Sequence, residues 1–341
     1  MKIWMPTIRT DTGAEVWARR LAGGLAARGH AVGLMLLPHG MQYLPWAAPG
    51  PATQPDVTIA NSWNAAAFAK PAPLLTVLHH VVHDPAMAAF KSLPQRIYHR
   101  NFILPMERAA LRRSAATVTV SHHAARQIRD TFGEVACEVV PNGVDTDFFT
   151  PEKAGRGKGT FELLWVGKPS RRKAFEVVAQ ALEMLGKDFR LTVIGPPPEP
   201  GISVPVEARV LGRVSREQLR SAYRAADLLL FPSRLEGFGY AAAEAMACGT
   251  PVLCSAGGAV AEVVDPPANG IALPAGDSEA VCAAVRALAA QPERLAEMRE
   301  NARNRAVSHF SETRWLDKME DLLRRVVGTS RERQGNVSNS H

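Results

Sequence analysis

Short apolar runs alternate with amphipathic stretches along nearly the whole chain, and the alternation breaks only once before restarting. Strands separated by helices pair in parallel, with the helices covering the sheet faces. In the first half the candidate strands are Lys2–Met5, Ala31–Leu37, Asp56–Ala60, Leu74–Leu78, Thr117–Val120 and Glu138–Val140, with helices over 14–28, 104–113 and 124–132. Gly29 and Gly133 stand where helix stops belong, and Ser121 where an N-cap belongs. In the second half, strands are expected at 161–166, 190–194, 208–211, 228–231 and 251–254. Helices are expected at 174–185, 216–225, 240–247, 278–290 and 292–309. The break at 153–159 is rich in Gly and Lys and has no apolar period, so it reads as a linker. The fold class is therefore α/β, with two Rossmann-like, doubly wound parallel-sheet domains.

At 341 residues the chain is long enough for two such domains. Hydrophobic residues at 46% and charged residues at 21% exclude disordered, collagenous and coiled-coil classes. The four cysteines are scattered without a C-x-x-C pair, which argues against a disulfide scaffold or a Cys-rich zinc site. A formal charge of +7 fits an acidic ligand, an anionic membrane or nucleic acid, and net charge is all that favours nucleic acid. The N-terminus lacks a signal-peptide pattern and no run is long enough to span a bilayer, so a cytoplasmic location is expected.

Three tempting motifs fail on context. Gly155-x-Gly157-x-Gly159 with Lys158 follows no strand and opens no helix, so it is not a phosphate loop. Asp145-x-Asp147 lies in a turn after Pro141-Asn142-Gly143-Val144 and reads as a solvated loop rather than a metal site. His79, His80 and His83 lack the spacing of a zinc site.

The segment from Phe231 to Val252 carries the chemistry. A strand ends at Phe231, a Gly-bearing loop follows, and an Ala-rich helix starts near Tyr240. Open α/β sheets bind ligands at the carboxyl ends of their strands. Unpaired amides of Gly239, Tyr240 and Ala241 at a helix N-terminus suit a phosphate. Glu236 and Glu244 flank that position, where two carboxylates could accept from sugar and ribose hydroxyls. On spacing alone, a cap at Glu236 and an exposed helix residue at Glu244 explain them equally well.

The segment resembles the E-x7-E signature of retaining GT-B glycosyltransferases, in particular the GT4 family (glycosyl transferases group 1), with Glu236 and Glu244 at the required separation. Val139-Val140-Pro141-Asn142-Gly143-Val144-Asp145 with Phe148 is similar to the family's segment entering its linker. Val166-Gly167-Lys168 with Lys173 is similar to its phosphate motif, and Gly212-Arg213-Val214 and Ala226-Asp227 also match. The resemblance is strong from Val139 to Pro274 and weaker before it.

It implies a GT-B fold: an acceptor-binding domain over 1–150 and a nucleotide-sugar domain over 151–310, facing across a cleft. A helix over 311–327 would cross back to the first domain, its apolar stripe made by Trp315, Leu316, Met319, Leu322 and Leu323, and a disordered tail would follow over 328–341. It implies that Lys168 and Lys173 clamp the diphosphate, Glu236 holds donor-sugar hydroxyls, Glu244 holds the ribose, and Arg213 and Val214 border the base. Amides of Phe238, Gly239 and Tyr240 would line the sugar and phosphates. Gly13 matches the glycine-rich loop after the first strand, and His79 or His80 matches the histidine near the donor sugar. Lys168 stands where Arg is usual and Ala174 where Gly is usual, while the extra charges Arg171 and Arg172 would bind phosphate or be solvated.

The implied reaction moves a sugar from a UDP- or GDP-sugar to a hydroxyl of lipopolysaccharide, exopolysaccharide or another glycolipid, with retention and with neither metal nor cofactor. A sugar-nucleotide epimerase or phosphorylase of the same fold, or a silent nucleotide-sugar-binding subunit, are the alternatives. Residues 88–114 hold Lys91, Arg96, Arg100, Arg108, Arg112 and Arg113 against the single acid Glu107, with Phe90, Tyr98 and Phe102 interleaved. Such a stretch lies on an anionic membrane, at the inner face of the plasma membrane, or is an ordinary solvated helix pair.

Overall fold

The computed structural model describes residues 1–10, 13–69, 72–152 and 159–338. The chain divides into two compact units, Met1–Asn142 with the segment from Thr313 onward, and Gly143–Glu312. Each unit is built on a six-stranded sheet. The linker expected over 153–159 lies outside the described residues except for Gly159.

Unit 1 runs β1 (Lys2–Ile8), α1 (Gly13–Ala27), β2 (Ala31–Leu37), β3 (Val57–Asn61), β4 (Leu74–Leu78), α2 (Leu93–Tyr98), α3 (Leu104–Arg113), β5 (Ala116–Thr119), α4 (His122–Phe132) and β6 (Cys137–Val139). Its sheet order is β2-β1-β3-β4-β5-β6, with every pairing parallel. Alternate strand residues feed two cores, as a period of two requires. Ile3, Met5, Val57, Ile59, Leu75 and Val77 pack with Trp17, Leu21 and Leu25 of α1. Trp4, Leu74 and Ala60 meet Phe68 and Ala110 on the other face.

Unit 2 runs β7 (Phe161–Val166), α5 (Phe175–Leu185), β8 (Phe189–Ile194), β9 (Arg209–Gly212), α6 (Arg216–Ala225), β10 (Leu228–Phe231), α7 (Tyr240–Ala247), β11 (Val252–Ser255), α8 (Gly258–Val264), β12 (Gly270–Leu273), α9 (Ser278–Ala289) and α10 (Pro292–Phe310). Its order, β12-β11-β10-β7-β8-β9, is parallel throughout. Chain order reverses between β7 and β10, which makes their carboxyl ends the switch point where such sheets bind ligands. Ser215 caps α6 through a capping box with Gln218.

The chain's last helix, α11 (Glu312–Ser338), enters the unit 1 core. Trp315, Leu316, Met319, Leu322, Leu323, Val326 and Val327 form its buried stripe. A Cβ on Gly24 of α1 would sit 2.6 Å from the Leu316 methyls, so glycine lets the two helices approach there. His30 and Arg28 bind Glu320 at 3.0 and 3.2 Å; the His30 hydrogen bond, which outweighs burial, holds that carboxyl below its usual range. The tail expected to be disordered from Gly328 is instead helical through Ser338. Residues 339–341 lie outside the described residues.

Other differences are local. The expected strand ends move by one to three residues, most at β1, and α8 and β12, which both open on glycine, were not anticipated. A turn of π-helix, His99–Ile103, joins α2 to α3 where sequence showed only basic and aromatic residues. Among the described residues no helix is long and apolar enough to cross a membrane.

Candidate functional site

β10 is apolar and fully buried, and it delivers the chain to a loop, Pro232–Gly239, at the switch point. Gly239 then caps α7 with φ +98°, a conformation that L side chains rarely adopt, and a Cβ there would lie 3.2 Å from Val260 Cγ2. The facing loop follows β7. Gly167 has φ +127°, and a Cβ on Gly195 would come within 2.3 Å of the Gly167 carbonyl oxygen. Only glycine at 195 permits that approach, which sets the course of residues 167–173.

The two loops meet at Glu236. Lys173 Nζ lies 2.9 Å from Glu236 Oε1, Arg172 lies 3.7 Å from the same oxygen, and Ser233 Oγ donates to it at 3.3 Å. Lys173 also sits 5.0 Å from the centroid of the Phe231 ring. Backbone contacts fasten the loops further. Arg172 donates to the Leu235 carbonyl at 2.7 Å, Arg234 donates to the Arg171 carbonyl at 2.6 Å, and the Arg234 amide donates to the Arg172 carbonyl at 3.0 Å. Arg234 also pairs with Glu176. Read from sequence as phosphate-binding or solvated, Arg172 is instead a bolt between the two loops.

Glu244 lies one turn into α7 and is 8% exposed. Its carboxylate accepts from the buried Tyr223 hydroxyl at 3.2 Å, which excludes the reading of an exposed helix residue. Lys168 is exposed on the β7 loop. Arg213 and Val214 line a cavity of about 790 Å³ beside α6, together with Arg190, Arg209 and Gln218. The Phe238 ring packs on Tyr240 and Phe310, each at 5.6 Å, leaving its backbone as the part able to meet a ligand.

The remaining expected residues lie in unit 1. Gly13 opens α1. His79, at the end of β4, sets its ring 5.1 Å from Trp17. Burial, and then the charge of His80, lower its pKa to about 3, so it is a neutral imidazole at physiological pH. His80 is exposed. His83 is bound by the fully buried Glu107, whose carboxylate also accepts from Ser62 Oγ at 2.6 Å, so its role is structural. Asp145 is held by the Phe148 amide and by Arg216 at 2.7 Å, as a turn residue rather than an open metal ligand. Gly155 and Gly157 lie outside the described residues. Burial pushes the Cys248 and Cys254 thiols up to about 12, so neither is a ready thiolate.

Spacing alone could not have revealed Tyr223, Arg172 or Arg234. Each acts through contacts between residues more than twenty positions apart, and although Arg172 and Arg234 lie within the two motif segments, neither is a position that the motifs mark.

Comparison with known proteins places this geometry. Residues 147–305 match the family described as Glycosyl transferases group 1, and residues 49–148 match Glycosyltransferase Family 4. A D-inositol 3-phosphate glycosyltransferase of Xylanimonas cellulosilytica is 36% identical over 190 residues, covering 48% of this chain and 46% of that protein. The chain thus spans about half the length of the curated relatives it matches. Sucrose-phosphate synthase from Thermosynechococcus elongatus superposes with a TM-score of 0.81 at 18% identity, covering 96% of this chain and all of that one. HepE of Anabaena, solved in complex with UDP, superposes with a TM-score of 0.77 at 17% identity over 95% of this chain and 99% of its own. With adjoining family matches from residue 49 to 305 and a shared architecture, the chain belongs to the GT4, or glycosyl transferases group 1, family and has the GT-B fold.

Proposed function

We propose that this chain transfers a sugar from a UDP- or GDP-sugar to an acceptor hydroxyl, with retention at the anomeric carbon and without a metal ion. One observation carries the reading. Lys173 and Glu236 stand 2.9 Å apart at the switch point, beside the N-terminus of α7. A cation and the backbone amides of a helix N-terminus suit a diphosphate, and a carboxylate suits hydroxyls.

In this reading Lys168, Lys173 and the amides of Gly239 and Tyr240 receive the diphosphate, and Glu236 accepts from the donor sugar. Glu244 takes the ribose hydroxyls, steadied by Tyr223, while Arg213 and Val214 border the base. Gly13 and one of His79 and His80 are the further residues read for the donor sugar; a neutral His79 would exchange hydrogen bonds with a hydroxyl rather than charge. The bond from the anomeric carbon to the diphosphate oxygen breaks as the acceptor oxygen bonds to the same face. The acceptor's proton passes to a phosphate oxygen of the leaving group. Lys173 neutralises the charge that grows on that group, as a preorganised cation does at a developing anion.

The UDP complex of HepE supports a nucleotide donor. The acceptor read from sequence is a lipopolysaccharide, exopolysaccharide or other glycolipid, which fits a cytoplasmic enzyme working at the inner membrane face. The names of the curated relatives favour a second reading, a phosphorylated inositol. A thermal-shift panel of UDP, GDP, ADP and their sugars tests the donor, since the tightest ligand stabilises most. Nucleotide-diphosphate release that requires acceptor and persists in EDTA supports transfer. Loss of turnover in chelator, restored by Mg²⁺ or Mn²⁺, rejects the metal-free mechanism.

A further inference from the structure

The sheet of unit 2 ends in a strand that neither face of the unit covers. β9 closes the order β12-β11-β10-β7-β8-β9, so one row of its backbone N–H and C=O groups has no strand beside it. Strands of parallel sheets are ordinarily packed on both faces. Here Arg209, Val210 and Leu211 are all exposed, although consecutive side chains point to opposite faces. Val210 is 57% exposed, Leu211 39%, and Val206, in the turn leading in, 92%. On the Leu211 side lies the open cavity beside α6, which that helix lines with the small residues Ser221, Ala222 and Ala225. The opposite edge strand, β12, has no exposed residue. Between 206 and 213 there is neither a proline nor a lysine, the residues that commonly blunt a free edge.

We propose that β9 pairs antiparallel with β9 of a second copy of this chain, joining two six-stranded sheets across a two-fold axis at Val210. The occupant is a second copy because the segment Glu207-Ala208-Arg209-Val210-Leu211-Gly212-Arg213 complements itself when reversed. With the axis at Val210, that residue meets its own counterpart and Arg209 lies opposite Leu211. The acidic Glu207 end of each strand then reaches the basic Arg213 end of the other, and both end residues are exposed. Charge also selects this register. Moving the axis to Arg209 sets Arg209 against itself, and moving it to Leu211 sets Arg209 against Arg213; like charges directly opposite are unfavourable. The pairing is short, since a bulge against β8 and φ +67° at Gly212 end the regular strand. A contact of that size is at the small end of specific interfaces, so a dissociation constant of roughly 10–100 µM is expected. The inference concerns the outer edge of unit 2 and does not rest on the donor reading.

The test is sedimentation velocity of the whole protein without nucleotide, from about 2 to about 200 µM, a range that brackets the expected constant. The sedimentation coefficient should rise with concentration from the monomer toward the dimer. Glu207→Arg sets an arginine against Arg213 twice in each dimer and should raise the dissociation constant about tenfold or more at low salt, with a smaller effect at high salt. Val210→Lys puts two ammonium groups at the axis and should abolish the dimer. Both side chains are exposed, so the melting temperature of each variant at low concentration should stay within about 2 °C of wild type. Val210→Cys should form a covalent dimer under mild oxidation, because only a residue on the axis faces itself, whereas wild type and Val307→Cys, exposed on α10, should not. A protein that stays monomeric at about 200 µM overturns the inference. So does a dimer that neither Glu207→Arg nor Val210→Lys weakens, or one in which Val210→Cys fails to cross-link.

Discussion

Replacing Lys173 by alanine tests the group on which the proposed transfer depends. Two unit charges 2.9 Å apart attract by about 6 kcal/mol at an effective dielectric near 20, before desolvation is subtracted. The two side chains are 18% and 17% exposed, so water screens them only in part. Removing the ammonium frees the Glu236 carboxylate to turn and leaves the developing diphosphate charge without its cation. Loss of one such preorganised group costs roughly 2–4 kcal/mol of transition-state stabilisation, about 30- to 1,000-fold in kcat. The assay is nucleotide-diphosphate release at saturating donor and acceptor, with the thermal shift by nucleotide confirming a folded site. Lys173→Arg should recover part of the loss, because it restores the charge with different geometry. A double-mutant cycle with Glu236→Gln should show coupling above about 1 kcal/mol, as expected for groups in direct contact. If Lys173→Ala keeps kcat within threefold of wild type in a folded protein, Lys173 is not in the site and the mechanism fails with it.

Arg172→Ala removes the 2.7 Å bond to the Leu235 carbonyl, so donor KM should rise severalfold with a smaller change in kcat; an equal fall in both would place Arg172 on the reacting atoms instead. Gly195→Ala drives a methyl into the Gly167 carbonyl, and the displaced Lys173 loop should weaken nucleotide binding in the thermal-shift panel more than it lowers the melting temperature of the free protein. Tyr223→Phe leaves Glu244 short of a donor inside a buried site, at a cost of about 1 kcal/mol measured by denaturant unfolding. His79 binds its proton far less readily when folded than when unfolded, so its contribution to stability is present above pH 6.5 and is lost as pH falls toward 3. Between pH 7 and 5 this amounts to about 2 kcal/mol, and the stability of His79→Asn should fall less steeply with acid; parallel curves would contradict the assignment.

Sequence and structure agree most where periodicity is strong. The buried strands and long helices announce themselves because packing on both sheet faces demands continuous apolar runs. β12 opens on Gly270 and gives little strand signal, whereas the equally short β10 shows as the unbroken apolar run Leu228–Phe231. The α11 stripe was legible from Trp315 to Leu323, but helix beyond Gly328 was not, because its polar composition looks like that of a free tail. At the site, resemblance supplied Glu236, Glu244 and Lys173, while only coordinates showed that Lys173 meets Glu236 and that Tyr223 holds Glu244. A buried carboxylate such as Glu107 hides in an arginine-rich helix, since composition says nothing about which side faces in.

The helix that completes the first core follows the whole of the second unit along the chain. On the ribosome, every residue of the second unit emerges before Trp315, Met319 and Leu323 exist to cover Trp17 and Leu21. Gly143–Glu312 is therefore free to fold while the earlier-synthesised unit still waits with an unfinished face, open to chaperones and proteases. A premature stop just before Thr313 would spare the second unit and cripple the first, the reverse of what their order in the gene suggests.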